Sequence, residues 1–203
     1  KEVVLTGIHL TSYGKDIKNT SLLDILKQVH EIHGIERIRL GSLEPTVINE
    51  EFIAMAKGLP KLCPHYHLSL QSGCNATLKR MNRKYTVEEY RNSVELLREN
   101  FSDVAITTDV MVGFPGETEE EFEQTYRFLD EISFAGMHVF KFSPRKGTPA
   151  ETLPDQVSPD KKEERSNRLI NLAKEKTHAF NEKFIGRTMS VLFEQISGLD
   201  KNS

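Results

Sequence analysis

Short runs of apolar and β-branched residues alternate along the chain with longer stretches of helical period, an order that predicts parallel strands covered by helices. At least five β/α units can be read. VVLTG (Val3 to Gly7) predicts a first strand, apolar throughout as if buried on both faces, and Thr20 or Ser21 predicts the cap of a helix through about Ile32. RIRLGS (Arg37 to Ser42) predicts the second strand, followed after Pro45 and Thr46 by a helix from Val47 to Ala56. HLSLQSG (His67 to Gly73) predicts the third strand, then a short helix from Ala76 to Met81 and a longer one from Val87 to Glu99, with Thr86 and Glu89 as its capping box. VAITTDVMVGF (Val104 to Phe114) leads to a second capping box, Thr118 with Glu121, and a helix to Ile132. MHVFKFS (Met137 to Ser143) predicts the fifth strand, and Ser158 and Pro159 open a charged helix to Phe184.

The tail RTMSVLFEQ (Arg187 to Gln195) alternates like a strand with no partner after it, and the chain starts abruptly on a strand. Truncation at both ends is the expectation. No internal repeat and no low-complexity linker interrupts the β/α alternation.

Composition changes this picture little. The 203 residues are 37% hydrophobic and 28% charged, enough for one sizeable core. No apolar run is long enough to span a bilayer and the first residues do not resemble a leader, so a soluble, cytoplasmic protein without membrane partners is expected. A net charge of −3 gives no general attraction to polyanions, which leaves nucleic-acid binding to local basic clusters. Cys63 and Cys74 match neither a zinc pair nor the C-x-x-x-C-x-x-C of an iron–sulfur site and read as free thiols.

Ligands of parallel β/α folds bind at the carboxyl ends of the strands. Here those ends are Thr6-Gly7-Ile8-His9, Ser42-Leu43-Glu44-Pro45, Gln71-Ser72-Gly73, the run from Gly113 to Thr118, and the run from Ser143 to Pro149. Each is rich in Gly, Pro and small hydroxyl or amide side chains, which let backbone approach a ligand and offer uncharged hydrogen bonds. Tight turns need the same residues, so one such loop alone signifies turn chemistry. Five on one rim fit a cleft for a zwitterionic, nucleoside-type ligand.

Other residues leave two readings open. His65 and His67 share a strand face and could begin a metal site, but no third ligand is evident, and packing or capping is the plainer role. Asp109 interrupts an apolar strand and either faces a ligand or anchors a neighbouring loop. Lys79, Arg80, Arg83 and Lys84, with Lys141, Arg145 and Lys146, form either a phosphate-binding rim or a solvated face.

In order, VLTGIH followed by YG, RIRLGSLEP, HLSLQSG followed by LKRMNRKYT, TTDVMVGFPGETEEEFEQT and HVFKFSPRKGTPA resemble the radical S-adenosylmethionine methylthiotransferases, over nearly the whole chain. LTGIH and RIRLGSLEP look most like the threonylcarbamoyladenosine tRNA enzymes of that family. The resemblance implies an α/β fold, a partial (β/α) TIM-like barrel over residues 1–184 that lacks its first strand and cluster loop. It also implies the start of a TRAM-like RNA-binding β-barrel over 185–203.

The resemblance further implies S-adenosylmethionine and 4Fe-4S clusters as cofactors, the clusters held by cysteines outside this chain. It places Thr6 and Gly7 near the cofactor's amino and carboxylate groups, with Ser42 and Glu44 beside them. Gln71 and Ser72 fall near the ribose, and Val112, Gly113, Phe114, Pro115 and Gly116 with Phe140 against the adenine. Asp109 joins this cofactor set, while Arg80, Arg83, Arg145 and Thr148 fall at the mouth where an RNA base enters. The implied partners are tRNA and an electron donor such as flavodoxin or ferredoxin. The implied reaction abstracts hydrogen from C2 of N6-threonylcarbamoyladenosine beside the anticodon and replaces it with a methylthio group. Such chemistry lives in the cofactors, which accounts for the absence of a nucleophile and base pair in these loops. Isopentenyladenosine in tRNA or a ribosomal protein is the alternative substrate. An aldolase or metal-dependent hydrolase on the same scaffold, and a non-catalytic nucleotide- or RNA-binding domain, are the rival classes.

Overall fold

A computed structural model of the chain describes residues 1–14, 16–17 and 20–192. Five strands, β1 (Glu2–Leu5), β2 (Arg37–Leu40), β3 (His65–His67), β4 (Ala105–Val112) and β5 (Gly136–Lys141), are separated by helices as the periodicity predicts. All ladders are parallel and join strands in chain order: β1 with β2, β3 with β4, and β4 with β5. Isolated parallel bridges, Ile38 with Leu62 and Leu43 with Leu68, connect the first ladder to the second.

The helices are α1 (Leu22–Glu31), α2 (Glu50–Lys57), α3 (Asn75–Arg80), α4 (Val87–Asn100), α5 (Glu119–Ile132) and α6 (Pro159–Glu182). Their starts follow local capping chemistry. Ser21 accepts from the Asp24 N–H, both capping boxes form at Thr86 and Thr118, and Ser158 with Pro159 opens α6. Among the described residues, no helix is long and apolar enough to cross a membrane.

Four expectations need correction. β1 lies at the edge of the strand order, and Val4 is 53% exposed rather than buried. The helix expected from Val47 starts at Glu50, because Asn49 accepts from the Phe52 N–H, while Pro45–Val47 forms a separate 3₁₀ turn. The third strand begins at His65 and its ladder stops at His67, because the Thr108 hydroxyl inserts where a backbone partner would be. It accepts from the Leu70 N–H at 3.1 Å and donates to the Leu68 carbonyl at 2.6 Å. The Tyr90 hydroxyl donates to Leu68 O and the Tyr85 hydroxyl to Ser69 O, so side chains satisfy backbone groups that a sheet would otherwise pair. Finally, no strand forms over residues 187–192, and residues 193–195 of the expected tail strand lie outside the described residues.

Alternation along β4 sets two faces. Ile106, Thr108, Val110 and Val112 are buried against the helices in one core with Leu68, Leu70, Tyr90, Phe122 and Leu129. Thr107, Asp109 and Met111 point to the opposite, half-open face.

Candidate functional site

The strand-end loops occupy the carboxyl ends of the parallel strands, and three of them build a shared cleft. Ile8 and His9 after β1, Ser42 and Glu44 after β2, Ser69 beyond β3 and Arg83 beyond α3 line it. Thr6, Gly7, Ser42 and Glu44 are exposed, Ile8 is 101% exposed, and His9 Nδ1 lies 3.6 Å from a Glu44 carboxylate oxygen. The charge here is sparse: one carboxylate with an imidazole beside it, and one guanidinium elsewhere in the lining, among neutral hydroxyls.

The QSG loop divides its labour. Gln71 is held at φ 70, a left-handed conformation that costs a non-glycine residue about 1 kcal/mol and is kept only where surrounding structure imposes it. Its N–H donates to Asp109 O and its carbonyl accepts from Met111 N–H, which fixes the backbone and leaves the half-buried amide side chain on the rim. Ser72 turns its hydroxyl inward. It is fully buried, with Oγ 3.1 Å from Thr125 Oγ1 and accepting from the Cys74 N–H, so its hydroxyl anchors the loop to α5. Gly73 is required there by close packing, since a Cβ would lie 2.8 Å from Phe128 Cβ.

The loop from Gly113 to Glu117 is largely buried, with Gly116 half-buried. Phe114 packs edge-on to Phe142, and Val112 is fully buried among the helices, so their side chains support the loop and leave its backbone to meet any ligand. Burial pushes the Glu117 carboxyl up, opposed by the Gly113 N–H and the Arg165 guanidinium that bond it.

On the half-open face the in-register pairs place Asp109 beside His138 and Met111 beside Phe140, which is 52% exposed. Asp109 therefore faces the half-open side. His67 joins it, with Nε2 3.4 Å from Asp109 Oδ2 and Nδ1 3.0 Å from Thr107 Oγ1, while the His67 and His138 rings are 6.1 Å apart. Sequence reasoning missed His67, His138 and Ser69 as neighbours of the rim. Alternation within a strand could have found the first two only once the register with β4 was known. Among the described residues, no group of three or more His, Cys, Asp or Glu could hold a metal ion, and His65 and His67 remain without a third ligand.

The four residues assigned to RNA separate. Arg83 stands in the cleft with Ser42 and Glu44. Arg80 is engaged by the Glu121 carboxylate through both terminal nitrogens, which raises its own pKa and lowers that of Glu121. Arg145 and Thr148 are exposed in the loop after β5, where the Thr148 hydroxyl and N–H both donate to Arg145 O.

Comparison with known proteins places this geometry. Residues 1–129 match the family model of the Radical SAM superfamily. The threonylcarbamoyladenosine tRNA methylthiotransferase MtaB of Thermotoga maritima is 41% identical over 96% of this chain and 44% of its own length. The tRNA-2-methylthio-N(6)-dimethylallyladenosine synthase of Acetivibrio thermocellus is 42% identical over 97% of this chain and 41% of its own length. The chain thus spans under half the length of these relatives. Among solved structures, the radical SAM enzyme coproporphyrinogen III oxidase (HemN) from Escherichia coli matches the fold with a TM-score of 0.60 at 18% identity, covering 76% of this chain and 36% of that one. With more than half of its residues under that family model and a matching α/β architecture, the chain belongs to the Radical SAM superfamily.

Proposed function

We propose that this chain is the S-adenosylmethionine-binding part of a tRNA methylthiotransferase, a partial (β/α) barrel over residues 1–184, acting on C2 of N6-threonylcarbamoyladenosine beside the anticodon. The observation that carries the reading is what stands at the strand carboxyl ends: a cleft lined by Ser42, Glu44, Ser69 and Arg83 and, in the loop after β3, Gln71 held in a left-handed conformation. The curated relatives, methylthiotransferases by name, support the reaction class.

The donor set fits the zwitterionic cofactor. Arg83 and Glu44 offer one charge of each sign, and Ser42, Ser69 and Gln71 offer neutral hydrogen bonds. Bound S-adenosylmethionine, together with a reduced 4Fe-4S cluster, supplies hydrogen-atom abstraction from an unactivated carbon. The residues of this chain do not fit the cluster itself, which needs three or four thiolates. Cys63 precedes β3 and Cys74 follows the QSG loop, and as a pair they supply fewer thiolates than the cluster requires. Cluster ligands from other parts of the full-length protein are therefore part of the proposal, as are tRNA and a flavodoxin- or ferredoxin-type electron donor.

In this reading Thr6, Gly7, Ser42, Glu44 and Arg83 orient the methionine end, Gln71 and Asp109 the ribose, and the Val112–Gly116 backbone with Phe140 the adenine. Arg145 and Thr148 then stand where the base arrives.

Gln71→Gly tests the site while sparing the fold, because glycine accepts the same backbone angle. In the cluster-loaded full-length protein it is expected to weaken S-adenosylmethionine binding about tenfold by calorimetry, as loss of a hydrogen bond worth ~1.4 kcal/mol predicts, with thermal stability unchanged. Unchanged affinity would remove Gln71 from the site. Nucleoside mass spectrometry of tRNA from a host lacking both modifications, complemented with the full-length gene, tests the substrate. Methylthiolated threonylcarbamoyladenosine is expected. Methylthiolated isopentenyladenosine would move the protein to the other group of relatives, and neither product would overturn the tRNA reading.

A further inference from the structure

Glu117 and Arg165 form an ion pair 2.8 Å long whose side chains are 1% and 3% exposed. Neither side chain lines the cleft shared by the first three strand ends. The same Glu117 oxygen, Oε2, accepts from the Gly113 N–H at 2.7 Å, and Arg165 Nη1 also donates to the Glu117 carbonyl at 3.1 Å. Both ends of the loop from Gly113 to Glu117 thus close on one carboxylate, and a guanidinium from α6 holds that carboxylate and the loop's last carbonyl together.

A second α6 side chain reinforces the first. Lys162, one turn before Arg165, lays its methylene stem across Gly113, where an added Cβ would fall 2.3 Å from Lys162 Cγ. Its ammonium donates to Phe142 O at 3.1 Å and stands 5.1 Å from the centre of the Phe142 ring, and Phe142 packs on Phe114 of the same loop. On the other side the Gly116 N–H donates to Asp155 O at 2.8 Å. The left-handed angles at Gly113 and Gly116, φ 72 and 76, are therefore imposed by contacts from α6 and the segment before it.

A buried ion pair is an expensive way to hold a helix against a loop, since apolar residues of similar volume often serve stability as well. What the pair adds is direction, because the planar guanidinium fork accepts its partners in few orientations. We propose that Arg165 is a positioning residue for cofactor binding, acting through Glu117 to hold the Gly113–Gly116 backbone in the conformation that receives the adenosyl group. This rests on the reading that the loop belongs to the cofactor site.

The test uses the anaerobically reconstituted full-length protein with Arg165→Lys and an apolar double variant, Arg165→Met with Glu117→Leu, chosen to refill the buried volume. S-adenosylhomocysteine binding is followed by calorimetry, and amide exchange over residues 113–117 by mass spectrometry. Expected are a Tm near that of the parent in at least one variant, a tenfold or greater loss of affinity, faster exchange in the loop, and a rise in KM for S-adenosylmethionine that exceeds any fall in kcat. Parent-like affinity in a folded variant would overturn the proposal and leave the cofactor-site reading standing. Absence of binding by the parent itself would take down both.

Discussion

His65 shows how one side chain couples this fold to pH. It stands on β3, its Nδ1 is buried without a hydrogen-bond partner, and burial first, then Arg39 and His67, holds its pKa below the ordinary histidine value. The unfolded chain then binds more protons between the folded value and about 6.5, so this residue's contribution is present above pH 6.5 and is lost as pH falls below it. Urea unfolding between pH 7.5 and 5.5 is expected to show midpoints falling with pH, and His65→Gln is expected to flatten that slope. A variant with the parent's slope would assign the acid sensitivity elsewhere. Legibility at this scale was uneven. Gln71 and Gly113 stood out in the sequence because five strand-end loops share one composition, whereas the burial of Ser72 depends on Thr125, which lies 53 positions away.

At the scale of elements, capping chemistry was read correctly because it is local. Thr86 and Thr118 each meet a glutamate three positions on, and both boxes form. The third strand was misread because its ladder breaks after His67 and resumes only as an isolated bridge between Gln71 and Val110. Thr108, buried and 40 positions from Leu68, replaces the ladder bonds of Leu68 and Leu70 with its own hydroxyl. Thr108→Val keeps the volume and removes both bonds, so it is expected to cost about 2 kcal/mol, mostly the penalty of an unpaired Leu70 N–H. Thr108→Ser is expected to cost less than about 1 kcal/mol, the value of one methyl group. Denaturant midpoints at constant m-value check the pair, and a larger loss in Thr108→Ser than in Thr108→Val would show that the methyl, not the hydroxyl, matters.

For the whole molecule, β4 is the central element. It pairs with β3 on one side and β5 on the other, and four of its side chains are buried in the core. β1 pairs on one side with β2 and exposes Val4. Native-state hydrogen exchange is accordingly expected to be slowest at the β4 amides, approaching the global unfolding free energy, and faster at β1, whose opening exposes little apolar surface. Equal protection of the two strands would contradict this ranking. What the sequence by itself determined is the order of strands and helices, most helix starts and which loops stand at the strand carboxyl ends. Those follow from hydrophobic period, caps and turn residues acting over a few positions. What only the tertiary structure decided is which polar groups meet: Asp109 with His67, Ser72 with Thr125, His9 with Glu44 across the cleft, and Glu117 with Arg165. Those partners lie far apart in the chain, and their meeting depends on strand register and helix packing, which a pattern of apolar and polar positions leaves open.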